Sequence, residues 1–465
     1  MTHPPTAPPA PPPAHPPAPV PPPVPPGAAD EPPRRTALAE ALAQLRAGAR
    51  TEPGRLRIIG AVIAGLLLLF GALTFYQISG RAHAADTVRG SSQPLSADAA
   101  EIYRSLADAN TTAAVGFLAG ADEDPNVRRR YEEDIDNAAR LVASAAAHSG
   151  ESGAAARYIE ILSEQLPFYT GLVETARTNN RQGLPLGGAY LRYADQQMQT
   201  TLLTAAEDLY ELETERFQRD LAEAREWPWL ALAAGAAALA VLGWAQRRHF
   251  LRTNRVFNRG LLAATTAAAA LLVWLAGAHV LARDALHDAD RGAAQSLSVL
   301  NDAWIEALRA RGDESMTLVL RGTGNEFQDS YEQHMAALTG EENTALDNAR
   351  DLSDDTEGRT PVEEAAEASA EWWDRHAEAR ELELAGEYNA AVRRVIGQDG
   401  STGESFDRVD ASLRAAVKHE QGQFTRAADD GHGVLGGLPA GAVLLGLLGG
   451  LGAVLGIGRR LSEYR

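Results

Sequence analysis

The densest run of side chains able to make directional contacts is Arg177-Thr178-Asn179-Asn180-Arg181-Gln182-Gly183. Arg177, Asn179, Asn180, Arg181 and Gln182 together offer donors suited to a carboxylate or to the acidic edge of a partner protein. The same residues also suit a helix end, since arginine favours the C-terminal dipole and Gly183 the left-handed cap. Other clusters carry less. His287, Asp288 and Asp290 lie together and His376 neighbours Asp374, but neither set has metal-ligand spacing, so both read as solvated helix surface. Asp122-Glu123-Asp124 lacks the glycine and terminal glutamate of a calcium loop. The acidic Asp351–Glu357 stretch reads as a flexible turn, and Arg128-Arg129-Arg130-Tyr131 as surface arginines beside one core tyrosine. No H-E-x-x-H, P-loop, G-x-S-x-G or dinucleotide fingerprint occurs. The expectation is a non-enzyme with no catalytic residue, no metal site and no cofactor.

The elements that must position these residues are set by four apolar runs. They are residues 58–78, 229–245, 261–281 and 435–457, inside a chain whose mean hydropathy is only −0.23. A helix needs roughly 20 residues to cross the hydrocarbon core, with about 17 the lower limit. The second run is therefore marginal, although Trp227, Trp229 and Trp244 bracket it as interfacial aromatics. None of the spans holds Asp, Glu, Lys or Arg, which disfavours an ion-coupled transporter. The net charge of −19 argues against nucleic acid as a partner, and the absence of cysteine excludes disulfide and thiol chemistry.

Arginine placement predicts the orientation. The N-terminal segment, the loop 246–260 with Arg247, Arg248, Arg252, Arg255 and Arg259, and the tail 458–465 together carry +9. Residues 79–226 total −10 and residues 283–430 total −18. The positive-inside rule then places both termini and the middle loop in the cytoplasm of a multi-pass cell-membrane protein. Ala82-His83-Ala84 matches a signal-peptidase site, but the preceding 21-residue run exceeds a secretory core, so an uncleaved anchor is expected.

Residues 1–33 hold 17 of the 25 prolines and read as a disordered cytoplasmic tail, either spacer or docking strip. Residues 34–57 form a basic juxtamembrane segment whose Leu38, Leu42 and Leu45 share a helical face suited to anionic lipid or to protein. Residues 79–226 show four helical stripes, among them Ile102, Leu106, Ala109, Ala113 and Phe117, and a heptad-like series from Leu191 to Leu212. Breaks are expected at 120–124, 150–153 and 179–188, with a kink at Pro167. Residues 283–430 repeat the plan, with breaks at 322–324, 353–361 and 397–403. Tyr131 echoes Tyr331, and Tyr169…Arg177…Gly183 echoes Trp373…Arg380…Gly386, which suggests a duplication. The fold class is thus all-α: four transmembrane helices carrying two extracytoplasmic antiparallel four-helix bundles. In the last span Gly437, Gly441, Gly446, Gly450, Gly452 and Gly456 permit close helix packing, either in a homo-oligomer or within the protein's own membrane bundle.

This layout resembles the actinobacterial GlnX-type membrane proteins. Leu106–Gly120 (LADANTTAAVGFLAG) and Thr170–Leu191 (TGLVETARTNNRQGLPLGGAYL) carry the likeness, and arginine at 42 of 43 basic positions fits a high-GC actinobacterial gene. The resemblance implies a relay between a solute-binding lipoprotein specific for glutamine or aspartate and the cytosolic Ser/Thr protein kinase G. The bundles are also similar to the four-helix sensor domains of chemoreceptors. The expected function is a non-enzymatic transmembrane sensor, with Arg247, Arg248, Arg252 and Arg255 presenting the signal to a cytoplasmic partner. The alternative is a structural scaffold of the envelope with no ligand switch.

Overall fold

The computed structural model describes residues 52–148, 153–253, 258–288, 294–320, 325–340, 343–353, 355–397, 399–435 and 437–461. The proline-rich tail, the helix expected at 36–49 and Arg255 lie outside the described residues. The described residues are almost all helical, with no strand among them. Four helices are long and apolar enough to cross a membrane. They belong to α1 (Glu52–Thr87), α7 (Trp229–Thr253), α8 (Arg259–Asp288) and α15 (Leu438–Leu461).

These helices close on one another at glycines. A Cβ on Gly71 would lie 3.1 Å from Gly446 Cα, and one on Gly260 2.3 Å from Gly456 Cα. A Cβ on Gly441 would meet the Trp274 ring at 2.2 Å, Gly450 faces Leu68, and Gly452 approaches Gly260. The last span thus packs its small face against α1 and α8 of the same chain, where dispersion contacts replace a hydrophobic driving force.

The first bundle comprises α2 (Gln93–Ala119), α3 (Pro125–His148), α4 (Gly153–Arg181) and a fourth rod of α5 (Leu186–Gln197), a π-helical turn (Met198–Leu203) and α6 (Thr204–Arg225). Helix α4 runs through Pro167 without a break. The second bundle comprises α9 (Gln295–Val319), α10 (Asn325–Thr339) with α11 (Ala345–Leu352), α12 (Thr356–Leu384), and α13 (Tyr388–Ile396) leading to α14 (Thr402–Leu435). The break expected at 353–361 is shorter than that. Asp355 caps the N-terminus of α12 by accepting from the Gly358 N–H, and Pro361 falls inside the helix.

The two bundles share their architecture. At the third-to-fourth helix turn, Gly183 (φ 70°) and Gly386 (φ 80°) close the same paired-bond cap. Gly183 N bonds Asn180 O and Leu184 N bonds Asn179 O, while Gly386 N bonds Glu383 O and Glu387 N bonds Leu382 O, all at 2.9 Å. In both cores a buried aromatic on the third helix donates to a polar side chain on the first. Tyr169 OH donates to Asn110 Oδ1 and Trp372 Nε1 to Glu314, each at 3.2 Å.

Residues of both bundles, from Ala99 to Tyr210 and from Leu300 to Val417, form one contiguous apolar core. Its centre is the parallel pair α2 and α9. Ile102 to Ala114 is buried on every side, because α2 meets its own bundle on one face and α9 on the other. Below, Phe217 and Phe424 meet edge-to-face at 5.4 Å in a neck with Val88 and Leu221.

Candidate functional site

The turn at 177–183 is built into the first bundle. Arg177 is 5% exposed, pairs with Glu123 at 2.8 Å and Glu174 at 3.0 Å, and stacks over Tyr131. Asn180 Nδ2 donates to Phe117 O and Asn179 Nδ2 to Thr175 O, at 2.7 and 2.8 Å. Arg181 reaches Glu123 at 3.3 Å and Gln182 is exposed. This end of the bundle is thereby tied to the loop after α2, and of these five residues Arg181 and Gln182 are the exposed ones. On the opposite side of the membrane helices, Arg247 is exposed and Arg248 lies over the Trp244 ring at 5.3 Å. Of Arg252 the structure describes only its place in α7.

The chemistry of the extramembrane part is concentrated where the bundles meet. Arg104 Nη1 donates to Asn301 Oδ1 at 2.5 Å, and its guanidinium covers Trp304 at 4.5 Å. Arg309 bonds Tyr103 OH at 2.9 Å and both oxygens of Glu207 at 3.0 Å. Arg130 bridges the bundles. It donates to Asp108 at 3.0 and 3.2 Å and, across the junction, to Asp407 at 3.0 Å. Asp410, held by Trp304 Nε1 at 2.9 Å, lies 3.9 Å from Arg130. Asp134 stands beside Asp108, its Oδ2 is buried, and one protonated carboxyl of the two can hydrogen-bond the other. Burial pushes Asp108 up, against the pull of Arg130. Burial, reinforced by Asp108, pushes Asp134 up to about 8.

Above this ion network the bundles part into a cleft of about 990 Å³. One wall is the distal face of α2 and its following loop, with Thr111, Thr112, Val115, Leu118 and Asp122. The other is α13 and the start of α14, with Val392, Arg393, Ile396 and Phe406. Arg311 lines the cleft from α9. It is 3% exposed, ion-paired with Glu314, donates to Thr402 Oγ1 at 3.0 Å and lies over Phe406. Burial raises the Glu314 carboxyl, but Arg311 and the His376 hydrogen bond outweigh it and hold it low, so the buried pair stays charged. The lining mixes these apolar side chains with charged ones, among them Asp124, Glu404 and Arg408, and a concavity between two domains is a common place for a small-ligand site.

Sequence reading missed this cleft and helix α13. One available signal was the stretch Ala107–Ala114 (ADANTTAA), too small and too polar all round for a two-faced helix with one side in water.

Residues 84–222 match the family described as actinobacterial sensor domain. The match spans the first bundle with its membrane-proximal helix ends and supports a sensor role within an actinobacterial family. No curated protein and no solved structure matches the chain.

Proposed function

We propose that the protein is a transmembrane sensor whose extracytoplasmic effector acts at the inter-bundle cleft and whose cytoplasmic surface passes the change to a soluble partner. The carrying observation is mechanical. Helix α1 continues through a π-helical turn at Val88–Ser92 into α2, so one cleft wall and one membrane span belong to a single rod from Gly54 to Ala119. At 1.5 Å per residue this rod is on the order of 100 Å long. A ligand that favours one packing of α2 against the second bundle therefore biases the position of α1, in the manner of helix shifts of ~1–2 Å. The basic loop 246–260 would then face the cytoplasm and contact the partner through Arg247, Arg248, Arg252 and Arg255. The resemblance to GlnX-type proteins suggests a Ser/Thr kinase for that partner and a solute-binding lipoprotein as the carrier of the effector.

The native absence of cysteine makes the test clean. Leu118→Cys with Val392→Cys introduces one thiol pair across the cleft, at side chains that pack on the same apolar cluster. Hydrogen exchange at residues 246–260 is then compared for oxidised and reduced full-length protein in lipid nanodiscs. The expected outcome is a change in exchange on oxidation. Identical exchange in both states would reject the relay and favour a static scaffold.

A further inference from the structure

The cleft holds unpaired groups of a particular kind. Thr111 and Thr112 line it, and neither hydroxyl is engaged in a hydrogen bond among the described residues or sealed away from the cleft. A hydroxyl that faces a cleft can donate to a C=O group of a ligand and accept from its amide N–H. The deeper charges are already committed: Arg130 to Asp108 and Asp407, Arg311 to Glu314. At the rim, Asp122 on the first bundle and Arg393 on the second are exposed and form no ion pair among the described residues. These two opposite charges sit on opposite walls, which also carry the apolar side chains of Val115 and Val392. The volume of about 990 Å³ is at the upper end of the range of roughly 300–1,000 Å³ for small-ligand sites.

We propose that the cleft binds a short peptide with free termini, its backbone amides bonded by Thr111 and Thr112, its carboxylate at Arg393 and its ammonium group at Asp122. This rests on the reading of the cleft as the sensory site. A simple anion or cation would use only one of the two rim charges and leave the apolar walls bare. A peptide with free termini uses both and covers the walls with its side chains.

The test is thermal unfolding of the full-length protein in detergent with tetraalanine, with N-acetyl-tetraalanine amide, and with free alanine. Tetraalanine at about tenfold above its Kd is expected to raise Tm by roughly 3 °C. The capped peptide should bind at least tenfold more weakly. Thr111→Val with Thr112→Val keeps the shape of both side chains, so the variant should melt like the parent without peptide and lose at least tenfold in tetraalanine affinity. Asp122→Asn and Arg393→Gln, both at exposed positions, should each weaken tetraalanine without changing the capped form. No shift with tetraalanine, or an equal shift in the double valine variant, overturns the proposal. An equal shift with free alanine overturns the peptide class but leaves the cleft as the sensory site. The cleft reading itself stands or falls separately, on the oxidised Leu118→Cys, Val392→Cys protein.

Discussion

Arg130 joins the bundles through carboxylates that outnumber it: Asp108, Asp407 and Asp410 lie within ion-pair range, and Asp134 adds a fourth beside Asp108. The excess is relieved by a proton. With Asp134 titrating at about 8 in the folded protein and near the ordinary ~3.9 when unfolded, the folded state binds more protons over that interval. The contribution of this group to stability is therefore full below about pH 4, falls as pH rises towards 8, and levels off above it. Asp134→Asn removes the cost of ionisation. It should melt roughly 2–4 °C above the parent at pH 8 and close to it at pH 4.5, as differential scanning fluorimetry at the two pH values would read. A parent and variant that differ equally at both would show that no proton is held there. At Arg177 the types and spacing that suggested a ligand site were visible in the sequence, but the partners Glu123 and Tyr131 that occupy the side chain lie 54 and 46 positions away. Sequence shows what a side chain offers, and folding decides whether the offer is already taken.

Among the elements, the joint between the first bundle and the membrane is the most defined. Helix α6 ends at Arg225 and α7 begins at Trp229, so this connection breaks while α1 runs on. Arg81 on α1 holds the break, donating to Glu226 O at 2.6 Å, Trp227 O at 3.0 Å and Gln77 O at 2.8 Å, and Gln77 Oε1 accepts from Ala231 N at 2.9 Å. Removing these bonds with Arg81→Gln should cost about 1–3 kcal/mol. Hydrogen exchange localised to residues 226–232 would report it, and unchanged exchange there would mean the joint is held by other contacts. Within the membrane, Gly260→Ala forces a methyl group against the backbone of Gly456, whereas a Cβ on Gly277 meets nothing within 4 Å. The first substitution should lower thermal stability by about 1–3 kcal/mol and the second by much less. Equal effects would count against this helix packing. The helix stripes were legible because the 3.6-residue period survives any tertiary context. Helix α13 was not, since Gly386 stands inside a strongly helical charged sequence and the left-handed turn depends on what α13 packs upon, namely Leu318 and Leu118.

At the scale of the whole molecule, the two bundles behave as one body with a common core, which makes the first bundle dependent on the second. A fragment of residues 84–222, the extent of the family match, would expose the face of α2 that α9 covers. That fragment should bind a hydrophobic dye and unfold at least 5 °C below the same segment in the full chain, by about the loss of two to three kcal/mol of apolar burial. A fragment that melts like the parent would show that the bundles are independent. The arginine bias predicts that both bundles lie outside, and on that expectation reporter fusions at residues 150 and 250 should read opposite sides of the membrane.

Composition and periodicity by themselves determined that this is an all-helical protein with four apolar spans and two large acidic segments. Those features are one-dimensional: burial in lipid needs about 20 consecutive apolar residues, and a bundle helix needs one apolar stripe. Only the tertiary structure decided that the bundles share a core, that the glycines of the last span meet Gly71, Gly260 and Trp274 of the same chain, and that a cleft opens between α2 and α13. Each of these is a meeting of residues about 170 or more positions apart. A pattern with a period of a few residues carries no record of such a partner.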